Sequence, residues 1–179
     1  LTDRIKVTRV AYEEGRHKAF TDITFFDNQF FLVFREADVR AYGENGVVYL
    51  FQSLDGSQWN FVTEIKEPDI DFRDPKLAIN GDELLLYIHG STYENQKIKS
   101  FTGYNLKYSK TTGWQEPKNV LLDYRAIVVN PILGNEIFDL YKSEDGLFFS
   151  KQNIFKNVPN EPTEATIRVS NDGEFFVLA

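Results

Sequence analysis

Ser53-Leu54-Asp55-Gly56-Ser57-Gln58-Trp59 recurs as Ser143-Glu144-Asp145-Gly146-Leu147-Phe148-Phe149, and again as Ser170-Asn171-Asp172-Gly173-Glu174-Phe175-Phe176. Each copy holds Ser, Asp and Gly at fixed offsets and an aromatic residue six positions after the Ser. Asp-Gly supplies the positive-φ corner of a tight hairpin, and the Ser and Asp side chains can bond the turn's own amides. An apolar or alternating strand such as Val47-Val48-Tyr49-Leu50-Phe51 comes before it. Hairpins of one design, repeated, predict a repeat architecture of four-stranded antiparallel blades, a β-propeller.

Working outward, two kinds of hairpin alternate. The first kind is predicted to turn at Asp27-Asn28, Asn80-Gly81 and Asn171-Asp172-Gly173. It leads into near-continuous apolar strands: Phe30–Phe34, Leu84–Ile88 and Phe175–Leu178. Such runs suit strands covered on both faces. The second kind turns at Asp55-Gly56, Thr111-Thr112 and Asp145-Gly146. The count gives blade 1 over about 17–65, blade 2 over about 70–122, a shortened blade 3 over about 123–157, and the start of a fourth over about 161–179. Three and a half blades cannot close a ring, so six-bladed completion by further blades or by a partner chain is expected. The alternating segment Ile5–Val10 is a candidate closing strand.

The 179 residues carry a net charge of −7, which removes the basic footprint of a nucleic-acid binder. No stretch is long and apolar enough for a membrane-spanning helix. With no cysteine and two histidines, neither thiolate chemistry nor the usual metal centre is expected, and no cofactor motif is present.

The Ser-x-Asp-Gly-x-x-aromatic hairpins resemble the Asp-box repeats of sialidase-like propellers of the glycoside hydrolase type, in a variant one residue shorter between Asp and Gly. His17-x-x-Phe20-x-Asp22 followed by Phe34-Arg35-Glu36 resembles the first blade of that superfamily. Phe72-Arg73-Asp74-Pro75 stands where its arginine motif opens the next blade, and Glu164 to Arg168 resembles the opening of a later one. The resemblance implies that Asp55, Asp145 and Asp172 are structural. It also implies a terminal sugar as substrate, a secreted or periplasmic location, and an arginine cluster that grips a substrate carboxylate. Arg35, Arg73 and Arg168 match that cluster by blade position, with Glu36 and His17 beside them as further substrate-binding candidates. Phe72-Arg73-Asp74-Pro75 is also similar to the Arg-Asp-Pro motif of five-bladed furanosidase-type glycosidases, whose partner motifs are absent here.

Counting back from the first-kind turns places Asp22, Asp74 and Glu164 at even offsets, on the face of each innermost strand that meets the channel. Carboxylates converging from three blades are what glycoside hydrolysis uses, one as acid and another as base, nucleophile or charge stabiliser. A non-catalytic propeller that binds a glycan or a protein is the alternative, because fold alone does not fix function. Tyr93–Lys99 reads as a polar connection, with a solvated loop preferred to a pocket rim.

Overall fold

The computed structural model describes residues 16–40, 46–122, 137–142, 147–156, 166–169 and 175–178. It is all-β, with no helix among the described residues. Contacts divide the chain into two units, Leu1–Val120 and Leu121–Ala179.

In the first unit, strands β1 (His17–Phe26), β2 (Gln29–Ala37), β3 (Val47–Ser53) and β4 (Asn60–Ile65) form an antiparallel meander in that order. A second sheet holds β5 (Asp71–Asn80), β6 (Glu83–Glu94) and β7 (Lys97–Ser109), with β8 (Gly113–Trp114) and β9 (Lys118–Leu122) both pairing antiparallel with β7. In the second unit, β10 (Ile137–Lys142) and β11 (Phe148–Lys156) make an antiparallel hairpin. A further hairpin joins β12 (Thr166–Val169) and β13 (Phe175–Leu178).

Local chemistry sets the corners. Asp27 and Asn28 both sit at positive φ (48° and 60°), as a two-residue hairpin turn requires. In the Ser53–Trp59 loop the Asp55 carboxylate accepts from Ser57 N (2.7 Å) and Gln58 N (2.9 Å), while Ser53 Oγ accepts from Gly56 N (2.9 Å). Gly56 supplies the positive φ of 68°. This Asp therefore builds its own turn. The matching Asp145 and Asp172, like the candidate closing strand Ile5–Val10, lie outside the described residues.

Two turns differ from the sequence expectation. The second first-kind hairpin closes on the pair Asn80–Glu83, so its turn is Gly81-Asp82 rather than Asn80-Gly81. Gly81, at φ 57°, takes the first corner position because it tolerates that conformation best. The Tyr93–Lys99 segment is not a loop: β6 and β7 continue as a ribbon that turns at Asn95-Gln96, both at positive φ.

Between the two sheets lies the core. Phe31, Val33, Val48, Leu50 and Ile65 from the first meet Phe72, Leu84, Leu86, Ile88 and Leu106 from the second. Each such side chain contributes about 1.5–3 kcal/mol by leaving water. Aligning the sheets on their closing pairs, Phe26–Gln29 with Asn80–Glu83, matches Phe31 to Leu85 and Leu32 to Leu86. The first sheet thus uses one face of the repeat for this core and the second sheet uses the other. The stacking is head to tail.

One ion pair crosses this layer with no exposure of either side chain. Arg35 on β2 donates to Asp71 Oδ1 of β5 through Nε (3.0 Å) and Nη2 (2.7 Å); the same Nε also reaches Phe72 O, and Nη1 reaches Val39 O, each at 3.2 Å. Phe72 N in turn donates to Gly46 O (3.1 Å). A Cβ on Gly46 would run into Asp71 Oδ1 and stand 2.6 Å from Phe72 O and 2.8 Å from Arg35 Nε. Gly46→Ala should therefore destabilise the fold by on the order of 3 kcal/mol, read as a lower urea midpoint. Asp71→Leu alone should cost about 3–5 kcal/mol by stranding the guanidinium, whereas Arg35→Met with Asp71→Leu should return close to wild type. Equal losses in the single and double variants would show that the pair does not act as a unit.

Candidate functional site

A β-bulge recurs at the same place in both sheets, between Ala19 and Asp22 on β1 and between Arg73 and Lys76 on β5. At its apex Phe20 and Asp74 adopt positive φ (58° and 48°), an unusual state for residues with a Cβ. The shared turn alignment makes Phe20 and Asp74 counterparts, and Asp22 the counterpart of Lys76. The expected equivalence of Asp22 with Asp74 therefore does not hold: it sets Asn28 against Asn80, whereas the closing pairs set Asn28 against Asp82, two residues later.

These two carboxylates do different things. Asp22 Oδ2 accepts from the backbone Leu77 N–H at 2.8 Å, which ties the edge strand of the first sheet to that of the second, and Oδ1 accepts from Ile23 N at 3.0 Å. The Asp74 side chain is 43% exposed, with Oδ2 3.9 Å from His89 Nδ1 and 4.0 Å from Arg73 Nε. His89 is buried on β6, and its Nε2 lies 3.1 Å from the buried Ser91 Oγ. Edge-to-face packing sets Phe101 of β7 against the imidazole, ring centres 5.8 Å apart and planes at 90°.

Arg73 stands beside this group, its guanidinium 5.3 Å over the Phe20 ring, within cation–π range. Its Nη1 donates to Tyr93 Oη (3.0 Å) and lies 3.8 Å from Asp71 Oδ2, and the Tyr93 hydroxyl itself donates to Asp71 Oδ2 (3.1 Å). Burial, the largest single influence, works against the Arg73 charge. The Tyr93 hydroxyl and the Asp71 and Asp74 carboxylates outweigh it together, and the pKa rises above the ordinary arginine value. Two of the three arginines of the expected cluster, Arg35 and Arg73, thus serve one internal carboxylate, Asp71. Sequence reasoning passed over Asp71, although it stands two residues before Arg73 at the start of the same strand.

The remaining candidates lie elsewhere. Glu36 is buried with Lys18 Nζ 2.9 Å from Oε2 and Arg16 Nη1 3.3 Å from Oε1, the latter an ion pair without hydrogen-bond alignment. His17 opens β1 opposite Ala37, its Nδ1 buried without a partner. Arg168 pairs with Phe176 in β12–β13, and Glu164 lies outside the described residues. Asp74, His89, Arg73 and Phe101 are therefore gathered in one place, while Asp22, Arg35 and Glu36 are held in structural bonds.

No protein-family model matches the chain, and none of the curated proteins matches it. No helix among the described residues is long and apolar enough to cross a membrane.

Replacing Asp22 by Ala removes the acceptor of the part-buried Leu77 N–H. The expected loss is about 1.5–3 kcal/mol, seen as a lower urea midpoint at unchanged m-value. An unaltered midpoint would show that the carboxylate does not hold β5.

Proposed function

We propose that these sheets are blades of a sialidase-like β-propeller, and that the propeller is a glycosidase acting on a terminal sugar, with Asp74 as the carboxylate that meets it. The propeller reading is supported by head-to-tail stacking. Each sheet offers one face forward and the opposite face back, an arrangement that closes into a ring when the rotation allows. The far face of the first sheet is built for the same contact, with Phe34 stacked on Tyr49 and Phe51 and with Phe61 beside them. A two-fold sandwich would instead press like faces together.

The observation that carries the functional reading is the setting of Asp74. It is held in an unfavourable backbone state, reaches solvent, and lies beside a guanidinium and an imidazole against which Phe101 packs. Strain of this kind, about 1–3 kcal/mol, persists where the surrounding structure fixes it. One carboxylate can supply acid, base or charge stabilisation at a glycosidic bond, and its partner would come from a blade outside the described residues.

A non-catalytic glycan-binding propeller is the second reading. It is favoured by the engagement of Asp22 and Arg35 in structural bonds, which leaves fewer groups for chemistry.

Aryl glycosides of hexoses, pentoses, fructose and sialic acid, assayed alongside glycan binding, separate the two. If the enzyme reading holds, one substrate turns over and Asp74→Asn lowers kcat by roughly 10²–10⁴-fold with little change in melting temperature. Binding without turnover of any substrate selects the second reading. Neither binding nor turnover refutes both.

A further inference from the structure

We infer that the sugar taken at this site is neutral rather than acidic, and that Phe101 is the platform against which its ring lies. The inference rests on the carbohydrate reading above and narrows it. A carboxylate-bearing sugar needs a guanidinium fork free to receive it, because a bidentate pair is what offsets stripping water from both charges. Arg35 cannot offer one: its side chain is fully buried, and each of its three nitrogens already bonds Asp71, Phe72 O or Val39 O. The Arg73 side chain is 17% exposed, yet it lies over Phe20, donates to Tyr93 and stands within 4.0 Å of both Asp71 and Asp74. Asp71 already fills the arginine pair from within.

What the site presents outward is different. Asp74 offers two acceptor oxygens, which suit the donors of two neighbouring ring hydroxyls and repel a sugar carboxylate. His89 forms the floor beside it, its Nε2 facing Ser91. Phe101, 39% exposed on the β6–β7 ribbon, stands perpendicular to that imidazole and offers an apolar face for the C–H side of a sugar ring. The ribbon is anchored on its other strand by Tyr93, which holds it over Asp71 and Arg73. An acceptor pair, an imidazole and an aromatic wall recognise hydroxyls and ring faces.

Matched sugars test this on the full chain. Methyl glucoside with methyl glucuronide, and methyl galactoside with methyl galacturonide, differ only in the carboxylate, and sialic acid is added as a second acidic probe. Affinities are measured by calorimetry and ligand-observed NMR, with far-UV circular dichroism verifying the fold of each variant. The expected result is binding of a neutral member in preference to its acidic match. Phe101→Ala should weaken that binding about tenfold, and Phe101→Trp should restore it. Tighter binding of the acidic member overturns the inference, as does an affinity that Phe101→Ala leaves unchanged. If the wild type binds no sugar at all, the carbohydrate reading itself falls, an outcome distinct from either of these.

Discussion

A guanidinium and a carboxylate sealed from water, Arg35 and Asp71, fix how the two sheets of the first unit meet. Burying both charges costs several kcal/mol each, and the cost is offset only when geometry and further hydrogen bonds are complete. Here each guanidinium nitrogen of Arg35 has a partner, in four bonds, and Asp71 receives Tyr93 on its second oxygen. Gly46 is required because no side chain fits between them, and its carbonyl takes the N–H of Phe72. A hydrophobic layer tolerates sliding, whereas this clamp has one register. The ten-residue core supplies the larger cohesive free energy, but the clamp decides where it lies.

The site's electrostatics follow from the same pair. Because Asp71 draws Arg35 wholly and Arg73 partly inward, positive charge that could face a ligand is spent on the fold. Asp74, three residues on, is left with Oδ2 only near Arg73 and His89, neither within hydrogen-bond distance. The bulge that lifts Asp74 is an architectural feature, since Phe20 repeats it in the first sheet without any carboxylate. The two repeats differ in what stands at its apex. In one it is an aromatic ring that supports Arg73; in the other it is the acid.

Strand content and turn chemistry were legible because they are local. Phe30–Phe34 reads as a strand covered on both faces, and burial from Phe31 to Ala37 agrees. Asp55 reads as a turn builder and bonds its own loop. What failed was the alignment of one turn: Asn80-Gly81 and Gly81-Asp82 are equally good turn sequences, and no residue between strand and corner distinguishes them. That step, together with matching the second corner residue Asn28 to Asn80, misplaced Asp74 by two residues relative to Asp22. The ribbon was missed because Asn95 and Gln96 lack the Gly that usually marks a two-residue turn. Asp71 was invisible for another reason. Whether an aspartate is a surface group or a buried anchor depends on an arginine 36 residues away, and no local pattern records that.

The head-to-tail stacking gives a last comparison, position against position. On the first sheet, Val33, Arg35 and Leu50 belong to the face that builds the core and the clamp. Their counterparts on the second sheet are Tyr87, His89 and Asn105. Asn105 is 1% exposed with both amide atoms lacking hydrogen-bond partners, a state that costs about 1–3 kcal/mol per site. A sequence shaped by cohesion alone would place another leucine there, as the first repeat does. Asn105, opposite Tyr87, lies on the same face of the second sheet as His89. At these positions the first repeat packs core side chains and an ion pair, and the second carries polar groups with an unsatisfied amide.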